Sequence, residues 1–236
     1  MISAFLCLGF ILSFAVNVIM VISWMSEIAK KEMRKRNAHA FFGGNNVCVY
    51  LPLRIRQDDD KRSLISSEVF YSGILLSQFF KINGISFQFI GITSSDKIVP
   101  HENSLFIGGP KVIKCTYEKL SYDPHFKFIN DEDSWTIKDL DSNVEFGSPN
   151  GDASKNKKYF AYLNKFKQQD KTIIIVAGIN SFGTLGGITY ITQNASIRKI
   201  SKKHANKNIS GIISSQIDSE KMVVTSSEIY TNLKEY

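Results

Sequence analysis

The chain has 236 residues, of which 43% are hydrophobic, 22% charged and 12% aromatic, a balance that suits one globular domain with an added segment and excludes a disordered chain. Fifteen glycines and five prolines exclude collagen-like and low-complexity classes, and three cysteines are too few for a disulfide framework or a clustered metal site. Of the formal net charge of +7, residues 27–36 contribute five basic and two acidic side chains, so the body that follows is only mildly basic and nucleic acid is not expected as a partner.

Residues 1–25 contain no Asp, Glu, Lys, Arg or His. A helix of that length rises ~37 Å against a hydrocarbon core of ~30 Å, so the composition predicts a transmembrane helix over 1–26. Lys30, Lys31, Arg34, Lys35 and Arg36 follow at once, which by the positive-inside bias predicts an inner (cytoplasmic) membrane protein, single-pass, N-out, with its carboxyl-terminal domain in the cytosol. A cleaved signal peptide would need a basic start, a shorter apolar run and an Ala-x-Ala-like site, all absent from the sequence. Gly9, Ser13 and Asn17 recur every four residues on one helix face, a small-residue stripe that suggests a homodimer in the lipid bilayer, and Trp24 stands where an interfacial residue belongs.

Residues 27–46 read as a basic juxtamembrane linker ending in the turn-rich Phe42-Gly43-Gly44-Asn45-Asn46, and residues 47–236 as a cytosolic α/β domain. Val47 to Leu51 is a buried-strand run. Ser66 or Ser67 caps a helix carrying Val69, Phe70, Ile74, Leu75, Phe79 and Phe80, and Asn83-Gly84 stops it. Phe87 to Ile92 and Ser104 to Ile107 are further apolar runs, the second ending in Gly108-Gly109-Pro110. Short strands at Phe126–Ile129, Ser134–Ile137, Val144–Phe146 and Tyr159–Phe166 suggest an antiparallel lobe, with an exposed loop tip at Gly147–Asp152. Thr172 to Gly178 is the clearest buried strand. It flows into Asn180-Ser181-Phe182-Gly183-Thr184 and a helix, and Ile209–Ile217 with Lys221–Tyr230 forms a hairpin at the sheet margin. The pattern predicts an α/β fold: an N-terminal single transmembrane helix, then a three-layer, mostly parallel-sheet domain with an antiparallel edge.

Two glycine turns follow predicted strands. In Gly178-x-x-x-x-Gly183-Thr184, the turn and the next helix N-terminus present unpaired N–H groups that suit phosphate or carboxylate. It resembles a P-loop without its lysine, so nucleotide hydrolysis of that type is not expected, and Gly-x-Gly-x-x-Gly is absent. The alternative is that Gly186 and Gly187 only permit close helix–sheet packing. Gly108-Gly109-Pro110 is the second turn. Ligands in open α/β sheets settle outside strand carboxyl ends, which would join both turns to Arg54 and Arg56 as an anion pocket, unless Asp58 to Asp60 neutralise these arginines. The candidate ligand-binding residues are therefore Gly108, Gly109, Pro110, Gly178, Asn180, Ser181, Gly183, Thr184, Arg54 and Arg56.

Gly108-Gly109-Pro110 with Thr116, and Gly178 through Phe182-Gly183-Thr184-Leu185-Gly186, resemble prokaryotic α/β (Rossmann-like) proteins of unassigned function that bear a GGP turn and a distal GxxxxGT turn. The likeness covers roughly residues 47–230 and departs at Ile113, where that pattern places Asn. It implies a nucleotide-binding-like fold, not a reaction.

Catalytic signals are sparse. Gly-x-Ser-x-Gly, His-Glu-x-x-His and Cys-x-x-Cys are absent; Cys7 falls in the apolar segment, Cys48 and Cys115 read as reduced core thiols, and His101, His125 and His204 lack metal-ligand spacing. No cofactor is indicated. Arg198, Lys199, Lys202, Lys203 and Lys207 form a second basic stretch, a solvated helix face or a surface for lipid or an acidic partner. Three functions remain open: a membrane-anchored sensor for a small anionic, nucleotide-like ligand; an enzyme on a nucleoside or phosphosugar, using a carboxylate such as Glu68, Asp96 or Glu102; and a structural anchor whose crevice is plugged by Phe182.

Overall fold

The structure, a computed structural model, describes residues 2–55, 63–94, 96–109, 113, 122–131, 134–147, 157–218, 221 and 223–236. The chain opens with α1, Ile2–Phe42, whose side chains are described from Val16 on. Beyond Ser26 the helix is carried by Glu, Lys, Arg, Ala and Met, all good helix formers. Lys30 and Lys35 pair one turn back with Glu27 and Glu32 at 2.8 and 3.2 Å. The expected linker over 27–46 is thus helical as far as Phe42, and it docks: Ala38, Phe41 and Phe42 are buried. Gly43 and Gly44, both at positive φ, end the helix.

No helix among the described residues is long and apolar enough to cross a membrane. This overturns the expected transmembrane helix over 1–26. Glu27 and then Lys30, Lys31 and Glu32 enter the same continuous helix that the apolar stretch opens. Of the stripe expected to pair two copies, Gly9 and Ser13 lie outside the described side chains, and Asn17 is exposed.

The body is a mixed α/β fold. Among the described residues, four parallel strands form one half of its main sheet: β1 (Asn46–Pro52), β4 (Ser86–Ile92), β5 (Ser104–Ile107) and β10 (Lys171–Gly178). Antiparallel strands β9 (Lys158–Gln168), β11 (Ile209–Asp218) and β12 (Val223–Ile229) continue the sheet on one side, in the order β12-β11-β9-β10-β5-β1-β4, and β13 (Lys234–Glu235) also pairs with β11. Tyr159–Phe166, expected in the lobe, instead belongs to β9 of this sheet. A two-residue turn at Gln169 and Asp170, both at positive φ, folds β9 onto β10.

Helix α2 (Ser67–Asn83) crosses from β1 to β4. The Ser66 hydroxyl accepts the Val69 N–H at 3.4 Å, and Gly84 closes the helix at φ 65°. It buries Val69, Leu76, Phe79 and Phe80 while Phe70 and Ile74 face outward. Helices α3 (Ser181–Ile191) and α4 (Asn194–His204) follow β10. The four helices of the described residues cover one sheet face, where Phe42, Leu76 and Phe80 meet Val49, Ile174 and Val176. The other face, with Phe106, Tyr162 and Ile175, is covered by the small sheet β6 (Phe126–Asp131), β7 (Ser134–Asp139) and β8 (Glu145–Phe146). A minor pair, β2 (Arg54–Ile55) with β3 (Ser63–Leu64), stands beyond β1.

The carboxyl-terminal segment straps these layers together. Lys234 bridges Asp139 and Asp141 at 2.5 and 2.9 Å, and Glu235 meets His204 and Lys207 at 2.6 and 2.5 Å. Tyr236 donates from its hydroxyl to Asn164 at 2.8 Å, and the Asn164 amide in turn donates to the buried Tyr162 hydroxyl, itself bonded to Asp123.

Candidate functional site

The sheet changes winding direction between β1 and β5: α2 carries the chain from β1 outward to β4, while β5 and β10 lie on the opposite side of β1. At such a switch point the connections on the two sides diverge and leave a crevice at the strand carboxyl ends. A cleft partly open to solvent occupies that position. Pro52 and Arg54 border it after β1, Gly108 and Gly109 after β5, and Gly178, Ile179 and Asn180 after β10. Ser66 and Val69 bring the start of α2 to its wall; Ser181 and Thr184 bring the start of α3.

Local chemistry explains why the turns fit. Gly108 sits at φ 123°, a conformation that side chains rarely adopt. Gly109 abuts the other turn, since a Cβ there would stand 2.8 Å from the Gly178 carbonyl oxygen. A Cβ on Gly178 would meet the Thr184 nitrogen at 2.2 Å. The helix start is self-capped: Asn180 accepts the Gly183 N–H at 2.9 Å, and the Thr184 hydroxyl accepts the Gly178 N–H and donates to the Asn180 carbonyl. Asn180 and Thr184 therefore shape the turn with the groups expected to meet a ligand.

Of the ten candidate residues, the structure gathers Arg54, Gly108, Gly109, Gly178, Asn180, Ser181 and Thr184 on one cleft. Pro110 and Arg56 lie outside the described residues, as do Asp58 to Asp60. Gly183 belongs to the turn but not to the described lining; a Cβ there would meet the Phe160 carbonyl oxygen at 2.3 Å, so its role is close packing. Gly186 and Gly187 pack as the alternative required, with hypothetical Cβ atoms 2.3 Å from Ser215 Oγ and 2.6 Å from Val176. Pro52, Ser66, Val69 and Ile179 were not expected on the site. For Ser66 the signal existed: it caps a helix that follows a buried strand, the same arrangement that marked Asn180.

The electrostatics of the described lining favour negative charge. Two helix starts face one space, and α3 has no acidic residue in its first turn. Arg54 is exposed and has no ion-pair partner among the described residues. The carboxylates weighed for catalysis are elsewhere: Asp96 accepts the Thr93 N–H at 2.6 Å, Glu102 accepts the Cys48 thiol at 3.6 Å, and Glu68 lies in the first turn of α2 off the described lining. Burial, and then the Glu102 carboxylate, push the Cys48 thiol pKa up, opposite to what a nucleophile needs. Phe182 packs against Tyr159 with ring centroids 5.3 Å apart and does not plug the cleft. Ile113, at the position where the GGP pattern places Asn, is buried among apolar residues of the sheet face opposite the helices. Among the described residues no group of His, Cys, Asp and Glu is arranged to hold a metal ion.

No protein-family model matches the chain, and none of the curated proteins matches it.

Proposed function

We propose that the cleft at the carboxyl ends of β1, β5 and β10 binds a small anionic, nucleotide-like ligand through its phosphate. One observation carries the reading: the starts of α2 and α3 and the side chain of Arg54 border the same space at the switch point of the sheet. Pro52, Val69 and Ile179 add an apolar wall against which a nucleoside can rest. The absence of Walker lysine from this turn and the self-capping of Asn180 and Thr184 favour holding a ligand over hydrolysing it.

The test is thermal unfolding of the full chain with ATP, GTP, cyclic dinucleotides and inorganic phosphate, run with product analysis. A ligand at a hundredfold excess over its Kd stabilises by about 2.7 kcal/mol. Ser181→Asp separates binding from folding. A carboxylate in the first turn of α3 suits the helix dipole and preserves stability, while it repels an anion from the cleft. Stabilisation in the wild type that disappears in Ser181→Asp and weakens in Arg54→Gln supports the reading. An equal response in all three proteins refutes it, and turnover of the nucleotide would reassign the cleft as an active site.

A further inference from the structure

Away from the cleft, the packing of α1 against α4 makes a feature that neither helix has alone. Ser201 donates from its hydroxyl to the Asn37 carbonyl at 2.9 Å, and Ala38, Phe41, Ile197 and Ile200 are buried together beneath this contact. Two basic segments far apart in sequence thereby become neighbours. On α4, beyond its first two residues, the exposed side chains are all basic, Arg198, Lys199, Lys202 and Lys203, and the helix contains no acidic residue. On α1, Lys31, Arg34 and Arg36 are exposed; Lys31 and Arg36 have no acidic partner among the described residues, Arg34 shares the charge of Glu27, and Lys30 and Lys35 are held by Glu27 and Glu32. Seven exposed cations thus stand on two packed helices, six of them without an acidic partner among the described residues.

Toward its start, α1 continues into exposed apolar groups. Just before the basic turn, Ile19, Met20, Trp24 and Met25 are 60–67% exposed, with no neighbouring element over them among the described residues. Nucleic acid would match the cations but leave these side chains in water. An acidic protein would need an apolar groove in register with its charges. An anionic bilayer presents phosphates above an apolar layer, in the order that the cations and the apolar residues require.

We propose that the α1–α4 face docks peripherally on an anionic phospholipid surface, with the seven cations over the headgroups and Trp24 and Met25 at the headgroup–acyl boundary. The contact is a surface one and requires no span. It is independent of what the cleft binds.

Sedimentation of the full chain with vesicles of phosphatidylcholine alone, or of phosphatidylcholine with phosphatidylglycerol, tests this. Binding should require the anionic lipid and weaken with salt. Arg198→Gln, Lys199→Gln, Lys202→Gln and Lys203→Gln together alter only exposed positions, and at roughly fivefold per cation should weaken partitioning by nearly three orders of magnitude. Arg34→Gln with Arg36→Gln provides a second variant on the other helix. The proposal is overturned if neutral vesicles bind equally well, if both variants bind like wild type while unfolding normally, or if duplex DNA or polyglutamate competes the protein off the vesicles at matched charge.

Discussion

Thr184 Oγ1 accepts the backbone N–H of Gly178 at 3.1 Å, tying the last residue of β10 to the first turn of α3. This bond sets the angle at which the helix start meets the cleft. Thr184→Val keeps the shape but leaves a buried N–H without its acceptor, a change expected to cost about 1–3 kcal/mol. Thr184→Ser keeps the hydroxyl and should recover most of the loss. Urea unfolding of the three proteins checks it, and equal midpoints for Val and wild type would remove the hydroxyl from the account.

Lys165 is buried on β9, donates to the Ala205 carbonyl at 2.6 Å and lies over the Phe41 ring at 5.9 Å. Burial, with a smaller contribution from Lys167, lowers its pKa from 10.5 to about 8. Between those values the unfolded chain holds a proton that the folded protein has released, so this residue makes stability rise with pH across that window. Lys165→Met lacks that rise. The stability of wild type relative to the variant should grow by at most about 3 kcal/mol on going from neutral pH to above 10. A difference that stays flat in urea titrations across that range contradicts the assignment.

Lys234 joins the carboxyl-terminal strap to the small sheet. Burial pushes the Asp139 carboxyl up, but the Lys234 ammonium and the N–H groups of Ser142 and Asp141 outweigh it and hold the pKa below the ordinary carboxylate value. The pair's stabilisation is therefore present above the unfolded Asp pKa of about 4 and lost as pH falls through the depressed folded value. Lys234→Met leaves Asp139 buried without its cation and should cost about 2–4 kcal/mol at neutral pH. Its acid limb should also be shallower than that of wild type. Calorimetry from neutral pH to about pH 3 reads both effects, and parallel curves would count against the coupling.

Asn103 ties three segments at the opposite end of the sheet from the cleft. Its amide donates to the Gly43 and Asn46 carbonyls at 3.1 and 3.4 Å, and its oxygen accepts the Thr172 N–H at 2.9 Å. Asn103→Ala should destabilise by about 1–3 kcal/mol. Hydrogen exchange should accelerate most at Thr172 and around Gly43. Uniform acceleration along the whole chain would show that the amide has no local role.

Several elements were legible because single residues punctuate them. Ser66 and Gly84 bracket α2, and the apolar run before Gly178 marks a strand buried on both faces. The cleft could be anticipated because Gly108, Gly109 and Gly178 each follow a strand and leave no side chain between backbone and solvent. Other features had no local signal. Tyr159–Phe166 joined the central sheet through a turn at Gln169 and Asp170, where no glycine advertises the positive φ, so its partner could not be read from spacing. The charge of residues 27–46 suggests a linker, although Lys, Glu, Arg and Ala are strong helix formers and Ala38, Phe41 and Phe42 supply a face to bury. The apolar start of the chain dominated the hydropathy reading, while the charges that interrupt α1 from Glu27 onward decide the described helix.

The tight Gln169–Asp170 connection has a kinetic corollary. It closes the shortest circuit in the central sheet, so β9 and β10 can zip without a long loop, whereas β5 must find β1 across a large stretch of chain. Amides of Leu163 and Val176 should gain protection in pulse labelling before those of Val49. The cleft, which needs the ends of β1 and β5 as well as that of β10, would then come into being only when assembly is complete.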